Sequence, residues 1–274
     1  MALIPPFFLD CVVSIGVHQQ ATLHPILWVG TGFLVGRRVE GGEKKYNIFL
    51  VTNKHVLLNK QHIVVRFNAI NNLSPKDYPI NLVDSSGDFI WVGHQDVNVD
   101  VATFHIDPNV LKSDGADFQF FALDEHALAC SQMKDVGVSE GDGIFVLGFP
   151  MGIVDSQKMN VIARVGAISR IRDVLAGSQT AYIVDANIFP GNSGGPVVNK
   201  PEHISIQDTK AIDKSSLIGV VKSYIPYQDV AISQQTGNPR VIFEENSGLA
   251  WVETVDSVIQ VVDDCYVQKL SHIP

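Results

Sequence analysis

The sequence has little charge and no basic patches. Charged side chains make up 18% of its 274 residues and hydrophobic ones 46%, and 20 basic against 29 acidic residues leave a net charge of −9. A chain this apolar can bury a sizeable core, which argues against a disordered protein. Its acidic balance excludes non-specific binding to nucleic acid or to an anionic membrane surface, so neither partner is expected.

The cysteines are too few and too far apart to form a disulfide framework or a zinc site. There are three of them, Cys11, Cys130 and Cys265, and no two form a C-x-x-C pair. We interpret them as buried small apolar residues and expect a reducing, cytoplasmic setting. No set of metal ligands is visible, and no cofactor is expected.

Long hydrophobic runs are also missing. No run reaches the roughly 18 apolar residues that a membrane-spanning helix needs, and the nearest is 143–154. The apolar N-terminus differs from a signal sequence because it lacks a basic region and contains Pro5, Pro6 and Asp10. We therefore expect no membrane association.

The chain instead contains many short segments rich in Val, Ile, Phe and Thr, separated by Gly, Asn, Asp and Pro. This pattern is typical of an all-β sandwich or barrel. We predict an N-terminal barrel over about 10–112, a connector over about 113–140 and a C-terminal barrel over about 141–253. The candidate strands are 12–18, 27–36, 46–52, 61–67, 89–93, 100–106, 144–149, 160–168, 180–186, 196–199, 217–224 and 248–253.

The end of the chain has a helical pattern. Thr254 is a suitable N-cap, and an amphipathic helix over 254–266 is predicted to pack on the preceding barrel. The apolar residues that recur at helical spacing are Val255, Val258, Ile259 and Val262.

The most informative segment is 189–196, FPGNSGGP, which places Ser193 among glycines immediately before an apolar strand. The glycines let the backbone turn tightly and leave the Ser193 hydroxyl exposed. The same turn can aim the amides of Gly191 and Ser193 into one concavity, as the stabilisation of an oxyanion requires. A serine hydroxyl alone is a poor nucleophile, so this interpretation needs a base and a group to orient it.

His55 and Asp100 are the candidates for those two roles. His55 follows the strand-like run NIFLV at 47–51, and Asp100 opens the alternating apolar run DVATF. Asp96 and Asp107 are alternative acids, but only Asp100 precedes the alternation, so the other two are interpreted as loop residues. The order His, Asp, Ser is that of the two-barrel proteases.

Six segments in this order resemble the chymotrypsin/trypsin-like serine peptidases, and more closely the bacterial Deg (high-temperature-requirement) protease domain and its intracellular relatives without a PDZ module. The resemblance implies one peptidase domain over 1–274, with the active site in the cleft of a double β-barrel. It also implies that His55 is the base, Asp100 orients it, Ser193 forms the acyl-enzyme, and Gly191 and Ser193 are the oxyanion donors. The segments are GTGFLV at 30–35, VTNKHV at 51–56, VDVATFHI at 99–106, GDGIFVLGFPMG at 141–152, DANIFPGNSGGPVVN at 185–199 and LIGVV at 217–221.

The resemblance also predicts where a substrate binds. A protein or peptide substrate is expected to add as an extended strand near Lys222, Ser223 and Tyr224. The primary pocket is expected between 185–191 and 220–224.

The pocket residues named by the resemblance are Asn187 and Ile188. Since no fixed acid accompanies them, a preference for Arg or Lys is disfavoured, and small or apolar side chains are favoured. Lys222 would favour an acidic side chain of the substrate only if the Lys222 side chain points into the pocket.

The sequence departs from the family pattern in three places. Asn192 stands where secreted digestive members have Asp, so activation by N-terminal cleavage is not expected. The peptide-binding module of Deg proteases is expected to be missing after the C-terminal helix. The long polar stretch 225–247 is expected beside the cleft, where it would restrict or gate substrates. A latent, partner-gated sensor or binding module therefore remains the alternative to a constitutive endopeptidase.

Overall fold

Two antiparallel β units and a C-terminal helix make up the fold. The structure is a computed structural model and describes residues 3–19, 26–41, 44–202 and 210–270. The helices are α1 (Pro6–Asp10), α2 (Lys54–Leu57), α3 (Pro108–Ser113), α4 (Leu123–His126), α5 (Cys130–Val136), α6 (Arg172–Leu175) and α7 (Val255–Lys269), with short 3₁₀ turns at Ile70–Asn72 and Pro150–Gly152.

The first unit is a nine-stranded sheet. Its strands are β1 (Val12–His18), β2 (Ile26–Arg38), β3 (Tyr46–Thr52), β4 (His62–Ala69), β5 (Lys76–Asn81), β6 (Val92–Gly93), β7 (Ala102–Ile106), β8 (Ala116–Asp117) and β9 (Phe121–Ala122). Hydrogen bonding follows the order β5-β4-β1-β2-β3-β7-β6, with β8 paired to β4 and β9 parallel to β2. The segment predicted as a connector thus supplies two strands to this sheet.

The second unit is a closed six-stranded barrel. Its strands are β10 (Gly143–Gly148), β11 (Ile162–Arg170), β12 (Ala181–Asp185), β13 (Pro196–Asn199), β14 (Leu217–Ile232) and β15 (Pro239–Thr254). They close in the order β10-β11-β12-β15-β14-β13. A half-barrel followed by a closed barrel confirms the predicted all-β, chymotrypsin-like double-barrel fold.

The two units share a hydrophobic core. One cluster of buried side chains contains Phe33 and Phe49 of the first unit together with Val146 and Val220 of the second. A separate cluster, which includes Phe67 and other residues of β1 to β7, fills the rest of the first unit. The shared cluster holds the half-barrel against the barrel, so groups on facing loops are fixed relative to each other.

The predicted C-terminal helix is confirmed and continues to Lys269. It starts at the predicted cap, where the Thr254 side chain accepts a hydrogen bond from the backbone of Ser257. The helix packs on β7 and β14, one strand from each unit. On its outer side Asp263 accepts a hydrogen bond from Arg37 at 2.6 Å. Helix α7 therefore contacts both units, whereas the sequence predicted that it packs on the second barrel alone.

The predicted strands 217–224 and 248–253 are too short, because both strands continue into the polar stretch 225–247, as far as Ile232 and from Pro239. β14 and β15 pair far beyond the barrel, with Tyr227 opposite Glu245 and Ala231 opposite Val241. We call residues 225–247 the arm. Its side chains are exposed on both faces for most of its length, so no alternation of buried and exposed positions marks it as a hairpin in the sequence.

The longest described helix, α7, has 15 residues, and none of the described helices is long and apolar enough to cross a membrane. All three cysteines are unpaired thiols; Cys11 and Cys265 are buried and Cys130 is half-buried.

Candidate active site

His55 and Asp100 lie close together because His55 follows β3, Asp100 precedes β7, and these two strands pair. β3 pairs with β7, with Thr52 opposite Ala102, so the residues just beyond these positions lie at one end of the sheet. His55 Nδ1 is 2.5 Å from one carboxylate oxygen of Asp100, and the His55 backbone N–H donates to the other at 3.1 Å. This geometry leaves the opposite ring nitrogen, Nε2, as the one that can accept a proton.

The Asp100 carboxyl group is kept ionised although it is largely buried. Its side chain is 18% exposed. Burial raises its pKa, but hydrogen bonds from the ring and backbone of His55 and the nearby Lys222 ammonium outweigh burial and hold the pKa below its ordinary value. The buried Asn53 donates from its side chain to the Asp100 carbonyl at 2.6 Å, which fixes the backbone.

The turn that carries Ser193 has two unpaired backbone donors. The N–H groups of Asn192, Gly194 and Gly195 donate to Phe189, Val221 and Asn192 respectively, at 2.9–3.0 Å. Within the described part of the chain, the N–H groups of Gly191 and Ser193 have no such partner. These are the two donors that the sequence predicted for an oxyanion hole.

Gly191 is required at its position for two reasons. Its φ is +97°, a conformation that side chains disfavour. A Cβ there would also lie 2.4 Å from the carbonyl oxygen of Phe149. Only glycine therefore allows this turn to pack against the end of β10.

Thr31 of β2 joins the Ser193 turn to the first unit. Its hydroxyl donates to the Gly191 carbonyl at 2.6 Å, and its backbone N–H donates to the Ser193 carbonyl at 2.9 Å. The Thr31 carbonyl accepts a hydrogen bond from the Thr52 hydroxyl at 2.8 Å, and Thr52 lies three residues before His55. The nucleophile candidate is thus fixed to the strand that leads to the base.

Ser193 lies near the residue that follows His55, but its hydroxyl is hydrogen-bonded to another residue. A Cβ on Gly30 would lie 2.9 Å from the Val56 side chain and 3.4 Å from the Ser193 carbonyl, so Ser193 is adjacent to the residue that follows His55. The Ser193 hydroxyl donates to the Lys222 carbonyl at 3.4 Å, its one hydrogen bond among the described residues. Attack on a carbonyl requires this hydroxyl to turn towards His55.

The predicted substrate-strand residues lie on β14, but the Lys222 side chain is already occupied. Its ammonium donates to the Asn98 carbonyl at 2.6 Å and lies 2.9 Å from the Glu253 carboxylate. Ser223 and Tyr224 follow along β14, and the Tyr224 hydroxyl donates to Glu244 of the arm at 2.6 Å. The Lys222 ammonium is therefore not positioned to select an acidic side chain.

Of the two predicted pocket residues, Ile188 turns its side chain into the core and Asn187 is exposed. The Ile188 carbonyl accepts a hydrogen bond from Asn246 of the arm at 2.5 Å. The side-chain oxygens of Asn187 and Asp185 lie at equal distances, 3.8 Å, from the position of a Cβ on Gly248.

Asp185 is thus an acid near the predicted pocket residue Asn187, and the sequence interpretation missed it. The signal was available, because Tyr182 and Val184 are buried on β12 and alternation places Asp185 on the outer face with Asn187. Glu253, a buried carboxylate that contacts the Asp100 backbone, was also missed. Its strand pairing cannot be derived from one sequence.

A double barrel with a histidine–aspartate pair and an adjacent serine turn is the architecture of a serine peptidase. Residues 30–203, more than half of the chain, match the family model of the trypsin-like peptidase domain. The chain therefore belongs to the trypsin-like peptidase family. This match supports the assignment of a serine protease.

Two solved structures are similar to this chain at low sequence identity. The HtrA-type protease AlgW, solved with a tripeptide, is similar with 19% identity and a TM-score of 0.50 over 95% of this chain and 61% of that one. The chain thus spans about three fifths of AlgW. The active form of the Rv3671c protease from M. tuberculosis has 18% identity and a TM-score of 0.46, with coverage of 96% and 90%.

Proposed function

We propose that the chain is a serine endopeptidase that hydrolyses peptide bonds through Ser193, His55 and Asp100. The observation that carries this proposal is the pair of N–H groups of Gly191 and Ser193, which have no partner among the described residues, in a turn whose other backbone N–H groups are hydrogen-bonded. Unpaired donors cost stability unless water or a ligand satisfies them, and two such donors can stabilise a carbonyl oxygen that gains negative charge.

Each residue has a defined role in this mechanism. His55 Nε2 takes the proton of the Ser193 hydroxyl as its oxygen bonds to the substrate carbonyl carbon, and Asp100 stabilises the resulting imidazolium. The N–H groups of Gly191 and Ser193 bind the oxyanion. The proton then passes from His55 to the leaving amine as the C–N bond breaks, and water activated by His55 hydrolyses the acyl-enzyme.

The substrate is proposed to be an extended polypeptide that adds along β14 at Lys222, Ser223 and Tyr224. Its primary side chain would enter the pocket beside Asn187 and Asp185. Because Asp185 brings a carboxylate and the Lys222 ammonium is bonded elsewhere, we favour a basic or polar side chain over the small or apolar one expected from sequence.

The proposal includes a cytoplasmic setting, no metal or organic cofactor, and neither nucleic acid nor membrane as a partner. The net charge of −9 supports the exclusion of nucleic acid and anionic membranes, and the three unpaired thiols support a reducing compartment.

Labelling with a fluorophosphonate tests the proposal without a known substrate. Wild-type protein and Ser193→Ala are incubated with the probe, and the modified residue is mapped by mass spectrometry. We expect labelling of Ser193 alone in the wild type and none in the variant. Peptidase activity in Ser193→Ala comparable with that of the wild type would refute the nucleophile assignment.

One observation favours the gated alternative, in which the triad waits for a partner. The Ser193 hydroxyl is bonded to the Lys222 carbonyl and not to His55. If the protein is gated, wild-type labelling will be slow alone and will rise when an activating partner or an unfolded polypeptide is added. Fast labelling without any addition would exclude gating.

A further inference from the structure

A carboxylate with no solvent exposure lies behind the proposed triad. The side chain of Glu253, near the end of β15, is 0% exposed, and that of its partner Lys222 is 29% exposed. Their charged atoms are 2.9 Å apart. The second carboxylate oxygen of Glu253 has no hydrogen-bond partner among the described residues. A buried ion pair with an unsatisfied oxygen is costly, so stability alone does not account for it.

The same Glu253 oxygen that meets Lys222 also binds the acid of the triad. It accepts a hydrogen bond from the Asp100 backbone N–H at 2.9 Å. The Lys222 ammonium in turn donates to the carbonyl of Asn98, two residues before Asp100. The loop that presents Asp100, which belongs to the first unit, is therefore held by two side chains of the second barrel.

Lys222 also contacts the nucleophile through its backbone, since its carbonyl accepts the Ser193 hydroxyl at 3.4 Å. β14 has a register shift between Val221 and Ser223, so Lys222 lies at a bulge. A bulge re-aims a residue relative to its strand. Here it lets one residue contact the Asp100 loop with its side chain and Ser193 with its backbone.

We infer that Glu253 and Lys222 are positioning residues that fix the Asp100 carboxylate relative to His55 and Ser193 across the junction of the two units. This inference rests on the proposed function for the identity of the triad. Misplacement of a catalytic group by about 1 Å can lower a rate by about 100-fold, so a pair that fixes this loop has a direct effect on turnover.

The test measures the second-order rate constant for fluorophosphonate labelling in three variants. Glu253→Gln keeps an acceptor for the Asp100 N–H but removes the charge, Lys222→Met removes the ammonium, and Lys222→Arg keeps a cation. We expect labelling at least about tenfold slower than in the wild type for the first two variants. Lys222→Arg should be labelled at a rate within about threefold of the wild type.

Stability controls separate positioning from folding. Asp77→Asn breaks a comparable ion pair with Arg66 in the first unit, where the side chains are 32% and 15% exposed. It should lower the melting temperature without slowing labelling. The double variant Lys222→Met/Glu253→Gln replaces the pair with neutral groups, so it should recover stability but still label slowly. If Glu253→Gln does not fold, Lys222→Met decides the question.

A second readout does not depend on a working nucleophile. The proton between His55 Nδ1 and Asp100 gives a low-field NMR resonance, which is assigned by its loss in Asp100→Asn. It should shift or broaden in Lys222→Met and stay unchanged in Asp77→Asn. Wild-type labelling rates and a wild-type resonance in both Lys222→Met and Glu253→Gln would overturn the inference. A wild type that is never labelled would count against the proposed function, while the resonance would still decide the positioning role.

Discussion

His55 donates two hydrogen bonds to Asp100, one from its ring and one from its backbone, at 2.5 Å and 3.1 Å. One carboxylate therefore fixes both the orientation of the imidazole and the start of the short helix α2 that carries it. Few single substitutions should affect this site as strongly as the loss of that negative charge.

Asp100→Asn should lower turnover by about 10⁴-fold, because an amide in place of the carboxylate favours the wrong tautomer of His55. The rate of fluorophosphonate labelling measures the effect. Asp107→Asn is the matched control, since Asp107 caps α3 by accepting from the Asn109 backbone at 2.9 Å. The control should leave the rate unchanged, and a loss of less than tenfold in Asp100→Asn would contradict the assignment.

Gly191→Ala should abolish labelling, because the new Cβ would meet the Phe149 carbonyl and displace the two oxyanion donors. Loss of even one such donor typically costs about 100-fold or more. Gly177→Ala provides a control for backbone strain alone, since its φ is +76° but nothing lies within 4 Å of a Cβ there. Equal labelling rates in the two variants would argue against the oxyanion hole.

Asp185→Asn should weaken a preference for basic side chains at the residue before the cleaved bond. The carboxylate is the charged group beside Asn187, and its loss removes an attraction that an arginine or lysine would use. Cleavage of a peptide library by both proteins measures the preference. Identical cleavage profiles would show that Asp185 lies outside the functional pocket.

Glu140→Gln should lower the free energy of unfolding at neutral pH. Hydrogen bonds from the backbone of Ile171 and Arg172 lower the pKa of Glu140 to about 2, although burial opposes them. Because the folded pKa is depressed, this contribution is complete above about pH 4.5 and is lost as the pH falls towards 2. Urea unfolding from pH 7 to 2.5 should therefore show a weaker acid dependence in the variant. Glu245→Gln, at an exposed site on the arm, should unfold like the wild type throughout.

The sequence predicted the barrel strands well where a strand is buried along most of its length. The strands β1, β3 and β13 begin and end at the predicted residues, and the C-terminal helix begins after the predicted cap. In such segments a short run of mostly apolar residues indicates a buried strand. The arm was missed because it is exposed to solvent on both faces and its sequence has neither such a run nor an alternation.

The candidate site divides in the same way. Ser193, His55 and Asp100 were selected because each lies in a distinctive local motif, and the structure pairs His55 with Asp100 and places Ser193 near Val56. The alternation along β12 could have identified Asp185. Glu253 depends on its long-range pairing with Val220, which a single sequence does not contain. Contacts between distant strands are therefore what the structure adds to the sequence.

The contact between Glu253 and Asp100 also affects when the chain becomes active during synthesis. Glu253 follows His55 by about 200 residues, which take about 10–40 s to translate at 5–20 residues per second. Until β15 has left the ribosome, the second barrel cannot close and the Asp100 loop lacks the carboxylate that binds its backbone. By the proposed mechanism, we expect a nascent chain that already displays both His55 and Ser193 to stay inert until β15 is in place, which would protect neighbouring polypeptides from cleavage at the site of synthesis.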